Sequence, residues 1–297
     1  MEKSILVTGS NGLVGQQVVK GLLEKGYNVV GLSIEKESKQ QHERYRYISI
    51  DLTRSKEVER VFSSNKFSHV VHLAAIAHVI RGMKISWSRY YRINTLVSRQ
   101  IFECASNAQI PVFFASTVDV YGITKGNVTP ETARNPIGEY AKSKFEAEKA
   151  LTKICANSPY AIVRFAPIYF DNNSVDKRKR YYLKYPKISY RIGKGISYEF
   201  LNVNGAVQTI VSWVMSPNKQ TIGNVYDESP INTRDAIAQE QANGRANWVI
   251  IVPMWLLKCI RFGINAIFGK ESYKAYMIAK LITPVAFERD SNGLQGT

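Results

Sequence analysis

The chain has 297 residues, 45% hydrophobic and 22% charged. These values fit a globular protein with a sizeable core in one or two domains, and they exclude a disordered, low-complexity or repetitive chain. Lys and Arg number 40 against 24 Asp and Glu, for a formal net charge of +16. That field attracts anions: nucleic acid, a phosphorylated substrate or an anionic membrane surface would each fit, and so would a merely solvated basic surface.

The three cysteines, Cys104, Cys155 and Cys259, are far apart and offer neither a disulfide framework nor a CxxC pair. The four histidines, His42, His69, His72 and His78, show no HExxH spacing. Met1-Glu2-Lys3-Ser4 leads at once into Ile5-Leu6-Val7, too short an apolar run for a signal-peptide core. The expectation is a cytoplasmic protein with no metal site.

In chain order, Ser4–Thr8 is an apolar run that predicts a strand. Leu13–Lys25 carries Leu13, Val14, Val18, Val19, Leu22 and Leu23 at helical spacing. Tyr27–Leu32 and Tyr45–Ile50 predict strands, the second ending at Asp51-Leu52, and Ser55–Phe62 predicts a helix. His69–Ala75 is again strand-like, Tyr90–Ala105 helical, and Ile110–Ala115 strand-like. Tyr140–Ile154 predicts a helix and Ala161–Phe165 a strand. Alternation of this kind with short turns implies an α/β fold, a Rossmann-type doubly wound parallel sheet covered by helices on both faces.

After about residue 167 the pattern changes. Asp171–Ile192 is polar, basic and tyrosine-rich, with Lys177-Arg178-Lys179-Arg180 followed by Tyr181-Tyr182. The expected division is a dinucleotide-binding domain over 1–167 and a smaller α+β substrate domain over 168–297, which can return a strand or helix to the first. Trp248–Phe268 is strongly apolar, but Pro253, Lys258, Arg261 and Asn265 interrupt it. A membrane span needs roughly 20 uninterrupted apolar residues. The segment therefore predicts an amphipathic helix that packs on the substrate domain or makes peripheral contact with the inner face of a membrane.

Thr8-Gly9-Ser10-Asn11-Gly12-Leu13-Val14-Gly15 joins the first strand to the first helix. Its GxxGxxG spacing permits a tight turn, so that backbone approaches a pyrophosphate and the helix N–H groups face the charge. Between a strand and a helix, this predicts dinucleotide binding. The second strand would end in an acidic residue for NAD, because a carboxylate accepts hydrogen bonds from the ribose hydroxyls. Ser33 stands at that position, with Glu35, Lys36 and Lys39 nearby. A neutral hydroxyl among cations favours NADP over NAD, unless both lysines simply point to solvent.

Tyr140-Ala141-Lys142-Ser143-Lys144 has YxxxK spacing, which puts phenol and ammonium on one helical face. A neighbouring ammonium stabilises a phenolate, making the tyrosine a usable general base or acid. The lysine can also hold the nicotinamide ribose. Ser116-Thr117 ends the strand Ile110–Ala115, at the sheet edge where ligands of such folds bind.

Thr8–Gly15, Asp51-Leu52, His72-Leu73-Ala74-Ala75, Asn94, Ser116-Thr117, Val120-Tyr121-Gly122 and Tyr140…Lys144 occur in the order of the extended short-chain dehydrogenases/reductases. More narrowly, the chain resembles the NAD-dependent epimerase/dehydratase family, which includes UDP-galactose 4-epimerases. The specific matches cover residues 1–170, and Gly223-Asn224-Val225-Tyr226-Asp227 is a looser one. The resemblance implies Thr117, Tyr140 and Lys144 as the catalytic set. It implies a cofactor site of Gly9, Asn11, Gly12, Leu13, Val14, Gly15, Ser33, Asp51, Leu52, Leu73, Ala74, Ala75, Asn94 and Phe165, shared with Tyr140 and Lys144. Ser116, Asp119, Pro167 and Tyr169 would face the substrate. A homodimer through Tyr90–Ala105 and Tyr140–Ile154 is also implied.

Three departures qualify this. The 4,6-dehydratases of the family carry Asp-Glu after the Ser/Thr, and here Val118-Asp119 lacks the first carboxylate, which argues against dehydration. The 4-epimerases often carry an Asn where Pro167 stands. Ser33 replaces the usual acid. The expected activity is therefore an NAD(P)-dependent nucleotide-sugar oxidoreductase of surface-polysaccharide precursor synthesis. Reduction of a 4-keto sugar nucleotide is slightly favoured over epimerisation at C4, and no nucleic-acid partner is expected. The alternatives are a reductase of a non-sugar carbonyl and a non-catalytic NAD(P)-binding sensor or chaperone.

Overall fold

The computed structural model describes residues 4–77, 85–170, 175–183, 188–216, 220–245, 248–269 and 272–288, with backbone alone at 175 and 176. His78 and parts of the basic stretch, 171–174 and 184–187, lie outside the described residues.

The chain begins β1 (Ser4–Thr8), α1 (Leu13–Glu24), β2 (Val29–Ser33), β3 (Tyr45–Ser49), α2 (Ser55–Ser63) and β4 (Phe67–His72). A long helix follows as α3 (Trp87–Tyr90), a wide π-helical turn (Tyr91–Leu96) and α4 (Val97–Asn107). Then come β5 (Val112–Thr117), a 3-10 turn (Val118–Tyr121), β6 (Asn127–Val128), α5 (Glu139–Ile154), β7 (Tyr160–Phe165) and β8 (Ile168–Tyr169). The remainder is built of short pieces: α6 (Val175–Arg178), β9 (Tyr182–Leu183), β10 (Ile188–Ile192), β11 (Ser197–Tyr198) and β12 (Leu201–Asn202). After these lie α7 (Val203–Met215), β13 (Thr221–Val225), β14 (Ile231–Asn232) and α8 (Thr233–Ala242). The last elements are β15 (Val249–Val252), α9 (Met254–Phe268), α10 (Tyr273–Ile282) and β16 (Ala286–Phe287).

Seven parallel strands form one sheet in the order β3-β2-β1-β4-β5-β7-β13. This is the doubly wound α/β arrangement, with its topological switch between β1 and β4. Both faces are covered. Ile5 and Val7 of β1 point into a core with Val18 and Leu22 of α1 and Ile210 and Trp213 of α7. Leu6 points the other way, into a core with Val58 of α2, Ile101 and Phe102 of α4 and Leu151 of α5. Burial on both faces explains the unbroken apolar run in β1, since no position of a central parallel strand meets water.

The chain after β7 does return to this sheet: β13 pairs with β7 from Thr221↔Ala161 to Val225↔Phe165. A third core holds Tyr169, Ile192, Ile196, Tyr198, Phe200 and Ile282, with Met254 and Leu257 packed against it.

Trp248–Phe268 is not one helix. Val249–Val252 is a strand, parallel to β10, and only Met254–Phe268 is helical. Four consecutive β-branched residues favour a strand, and Pro253 disfavours helical backbone at Val252 while its fixed φ suits the entry to a helix. The strand predicted over His69–Ala75 likewise stops at His72, so Leu73-Ala74-Ala75 form a loop. No helix among the described residues is long and apolar enough to cross a membrane.

Candidate active site

The carboxyl ends of β1, β2, β3 and β4 lie side by side, and each releases a candidate cofactor segment. Gly9, Gly12, Leu13 and Val14 follow β1, Ser33 ends β2, Asp51 and Leu52 follow β3, and Leu73, Ala74 and Ala75 follow β4; all keep exposed surface. The glycines are required by close approach. Gly9 has φ +71°, and a Cβ there would lie 2.9 Å from the Ala74 nitrogen. A Cβ on Gly15 would lie 2.1 Å from the Gly9 carbonyl oxygen. The N-terminus of α1 has no side-chain cap and no acidic residue in its first turn, so its N–H groups face this crevice undiminished. A turn with no room for side chains, against a bare helix N-terminus, fits the pyrophosphate of a dinucleotide. Gly15→Ala is expected to weaken NAD binding by on the order of a hundredfold, about 2.7 kcal/mol, as read by fluorescence titration.

Asn11 is spent on the protein. Its amide donates to the Glu37 carbonyl at 2.8 Å and the Tyr47 hydroxyl at 3.2 Å, and its Oδ1 accepts from the Lys39 N–H at 3.1 Å. These bonds fasten the loop after β2 onto the glycine turn. Lys39 Nζ donates to the Asn11 carbonyl at 3.2 Å, so this lysine does not simply point to solvent. The Ser33 hydroxyl hydrogen-bonds the Glu35 carboxylate and, more than any other contact, holds it below its ordinary pKa. An ionised carboxylate therefore does stand beside the end of β2, two residues later than the position read from the sequence. The Asp51 carboxylate accepts the Thr53 N–H at 2.9 Å, and that bond lowers its pKa most.

Thr117 ends β5, and its hydroxyl is hydrogen-bonded to the phenol of Tyr140 at the start of α5. Burial pushes the Tyr140 phenol well above its usual value, the Asp119 carboxylate pushes the same way, and the Thr117 bond opposes them. One turn on, Lys144 is 2% exposed with its Nζ 4.0 Å from the centre of the Phe114 ring. Burial pushes this ammonium down to about 7, against the pull of the Glu148 carboxylate. Such a set can exchange a proton with a hydroxyl delivered to Tyr140.

The wide turn before α4 aims the buried Asn94 at this helix. Asn94 donates to the Ser143 hydroxyl and to the Ile76 carbonyl, both at 3.0 Å, and accepts the Ile76 N–H at 2.8 Å. It thus ties α5 to the loop after β4. His72, beneath Lys144, bridges Thr8 Oγ1 at 2.7 Å and Ser98 Oγ at 2.8 Å, and burial pushes its pKa down to about 3. It is a neutral core histidine. Ser116 faces away from Thr117's partner: its hydroxyl donates to Glu148 at 2.5 Å. Phe165 is buried against Phe113.

Residues 5–195 match the NAD dependent epimerase/dehydratase family. The chain belongs to that family. It is 30% identical over 173 residues to UDP-arabinose 4-epimerase 1 of Arabidopsis thaliana, over 54% of this chain and 41% of that protein. It is 25% identical over 312 residues to UDP-glucose 4-epimerase of Vibrio cholerae, over 99% of this chain and 90% of that protein. The chain spans about two fifths of the length of the first curated relatives it matches. The structure of UDP-glucuronic acid 4-epimerase from Bacillus cereus, with UDP-glucuronic acid and NAD, superposes with TM-score 0.69 at 20% identity, over 84% of this chain and 86% of that one. This last likeness is one of fold.

In this family member the C-terminal third packs against the start of α5 and the turn after β5. Gly138, with φ +89°, lies where a Cβ would meet the Tyr273 ring at 2.9 Å, so α10 rests on the start of α5. Lys280 of α10 forms an ion pair with Asp119. Asp119, Pro167, Arg180, Tyr198 and Lys280 line a cavity where the turn after β5 meets the C-terminal third. Tyr169 is not in that lining; it is 7% exposed and packs on Phe200 in the third core. Nor is the basic run a plain solvated loop. Lys177 Nζ lies 3.1 Å from the centre of the Tyr169 ring, Arg178 pairs with Glu240 at 3.3 Å, and Arg180 reaches the cavity.

Sequence reasoning missed Glu148, Arg164 and Lys280. The first two left a signal: a lone Arg inside the apolar strand β7, and a Glu four residues beyond Lys144 on the same buried stripe. Lys280 left none, being 161 positions from the Asp119 it meets.

Proposed function

We propose that the chain is an NAD-dependent 4-epimerase of a UDP-sugar. The reading rests on one observation: Thr117, Tyr140 and Lys144 stand together at the carboxyl edge of the sheet, beside the glycine turn and the Glu35 carboxylate. Tyr140 exchanges a proton with the C4 hydroxyl; the cationic ring of bound oxidised NAD would offset the burial that raises its phenol, and Thr117 holds phenol and hydroxyl in line. Lys144, one turn on, would hold the nicotinamide ribose, its charge supported by Glu148. The glycine turn and the loops after β2, β3 and β4 would hold NAD, which when bound would supply the reversible oxidation at C4. Arg180 and Lys280 present cations to the pyrophosphate of the sugar nucleotide.

NAD is proposed over NADP because the ionised Glu35 both accepts from a ribose 2′-hydroxyl and repels a 2′-phosphate. Glu35→Gln is expected to weaken NAD by roughly tenfold and to improve NADP, as measured by fluorescence titration of both. The two-part division, with 1–167 mainly for cofactor and 168–297 mainly for substrate, belongs to the same proposal. A second reading, 4-keto reduction, is favoured by Pro167, which offers no amide to a sugar nucleotide. The purified protein should retain NAD(H) and interconvert a UDP-sugar with its C4 epimer without consuming reduced cofactor. NADPH preference with net reduction of a 4-keto sugar nucleotide overturns the epimerase in favour of the reductase.

A further inference from the structure

Helix α9 is built inside out. Its outward stripe runs Trp255, Leu256, Ile260, Phe262 and Ile267, and none of its described residues is buried. Trp255 is 65% exposed, Phe262 77% and Ile267 74%. The polar residues Arg261 and Asn265 turn inward with Leu257, and the Asn265 side-chain oxygen is buried with no hydrogen-bond partner. A helix free in water would be expected to turn the other way, since its apolar stripe gains most by leaving solvent. From Trp255 to Ile267 the stripe is about 18 Å long, at 1.5 Å per residue. It continues onto the adjoining segment, where Trp248, Ile250 and Ile251 are also exposed.

The charge around the stripe selects what covers it. From Trp248 to Gly269 the chain contains no Asp or Glu, and Lys258 lies on its exposed side. Lys274 of α10 sits with its Nζ 4.7 Å from the centre of the Phe268 ring. The whole chain carries +16. Two copies meeting through this face would set Lys258 and Lys274 of each against those of the other, with no carboxylate between Trp248 and Gly269 to offset them. An anionic lipid surface supplies the opposite sign and takes tryptophan and phenylalanine at the headgroup boundary.

We propose that α9 and the strand before it form a peripheral membrane-binding face, which lays the apolar stripe into the interface of a bilayer rich in anionic lipid. The helix is too short and too interrupted to cross, so it lies in the plane of the interface.

Co-sedimentation of the full chain with phosphatidylglycerol–phosphatidylcholine vesicles tests this, beside vesicles of phosphatidylcholine alone. The protein is expected to pellet with the anionic vesicles, to blue-shift in tryptophan emission, and to be released in part by salt. A Trp255→Glu/Phe262→Glu variant, altered only at exposed positions, should keep its far-UV circular dichroism and its cofactor binding. Its vesicle partitioning should fall on the order of a hundredfold, roughly tenfold for each aromatic withdrawn. Three outcomes overturn the proposal: no pelleting of the wild type, equal binding by wild type and variant, or equal binding to anionic and neutral vesicles. A variant that instead falls to a smaller oligomer in the absence of lipid also overturns it, by assigning the face to a second copy of the chain.

Discussion

Tyr140→Phe is expected to lower kcat by on the order of a thousandfold, the range for loss of a positioned proton-transfer group. The substitution removes one oxygen. The ring keeps its tilt against Tyr90, 6.3 Å away between centres, and Lys144 keeps its place over Phe114. Cofactor affinity should therefore change little, and the loss should appear in kcat and kcat/KM together. Retained NAD(H) content and binding isotherms check the first half; steady-state turnover of a UDP-sugar checks the second. Near-normal turnover would remove Tyr140 from the chemistry. Thr117→Ala should give a smaller loss, since it removes the hydrogen bond that offsets burial of the phenol but leaves the phenol itself.

Arg164→Leu is expected to destabilise the chain by about 3–5 kcal/mol, because it strands a carboxylate in the core. Arg164 is 1% exposed and Glu148 3%. Arg164 Nη2 donates to Glu148 at 2.8 Å and Nε at 3.0 Å, while Nη1 donates to the Tyr121 hydroxyl and the Pro130 carbonyl, both at 2.8 Å. The Tyr121 hydroxyl in turn donates to Asn224 of β13 at 2.7 Å. One guanidinium thus joins β7, α5, the turn after β5 and the returning strand. Thermal unfolding should shift down by roughly 10 °C. The double variant Arg164→Leu/Glu148→Leu should recover much of that loss, since no lone charge remains buried. Turnover should not recover with it, because Glu148 also supports the charge on Lys144. A double variant as unstable as the single one would show that the hydrogen bonds to Tyr121 and Pro130, rather than the ion pair, carry the stability.

The sequence by itself determined the sheet, the turn and the tyrosine helix, because each follows from local pattern. Ile5-Leu6-Val7 can be apolar without a break only where both faces are covered, and Val18, Val19, Leu22 and Leu23 recur at helical spacing on the face they bury. Gly9 and Gly15 stand where no side chain has room, so the turn is written in residue type. The spacing of Tyr140 and Lys144 places them on one face whatever lies opposite. Tertiary structure decided what depends on partners far along the chain. The acid beside the end of β2 is Glu35, brought back by the Asn11 anchor of its loop, a fold-back that strand periodicity does not encode. Asp119 meets Lys280 only because α10 returns across the start of α5. Val249–Val252 could be read as a strand from its β-branched residues and Pro253, but its pairing with β10 and the outward turn of α9 were set by tertiary contacts. Pattern within a segment fixes its secondary structure and its buried face; which charges meet, and which apolar face is left in solvent, is fixed by contacts between segments that no local pattern contains.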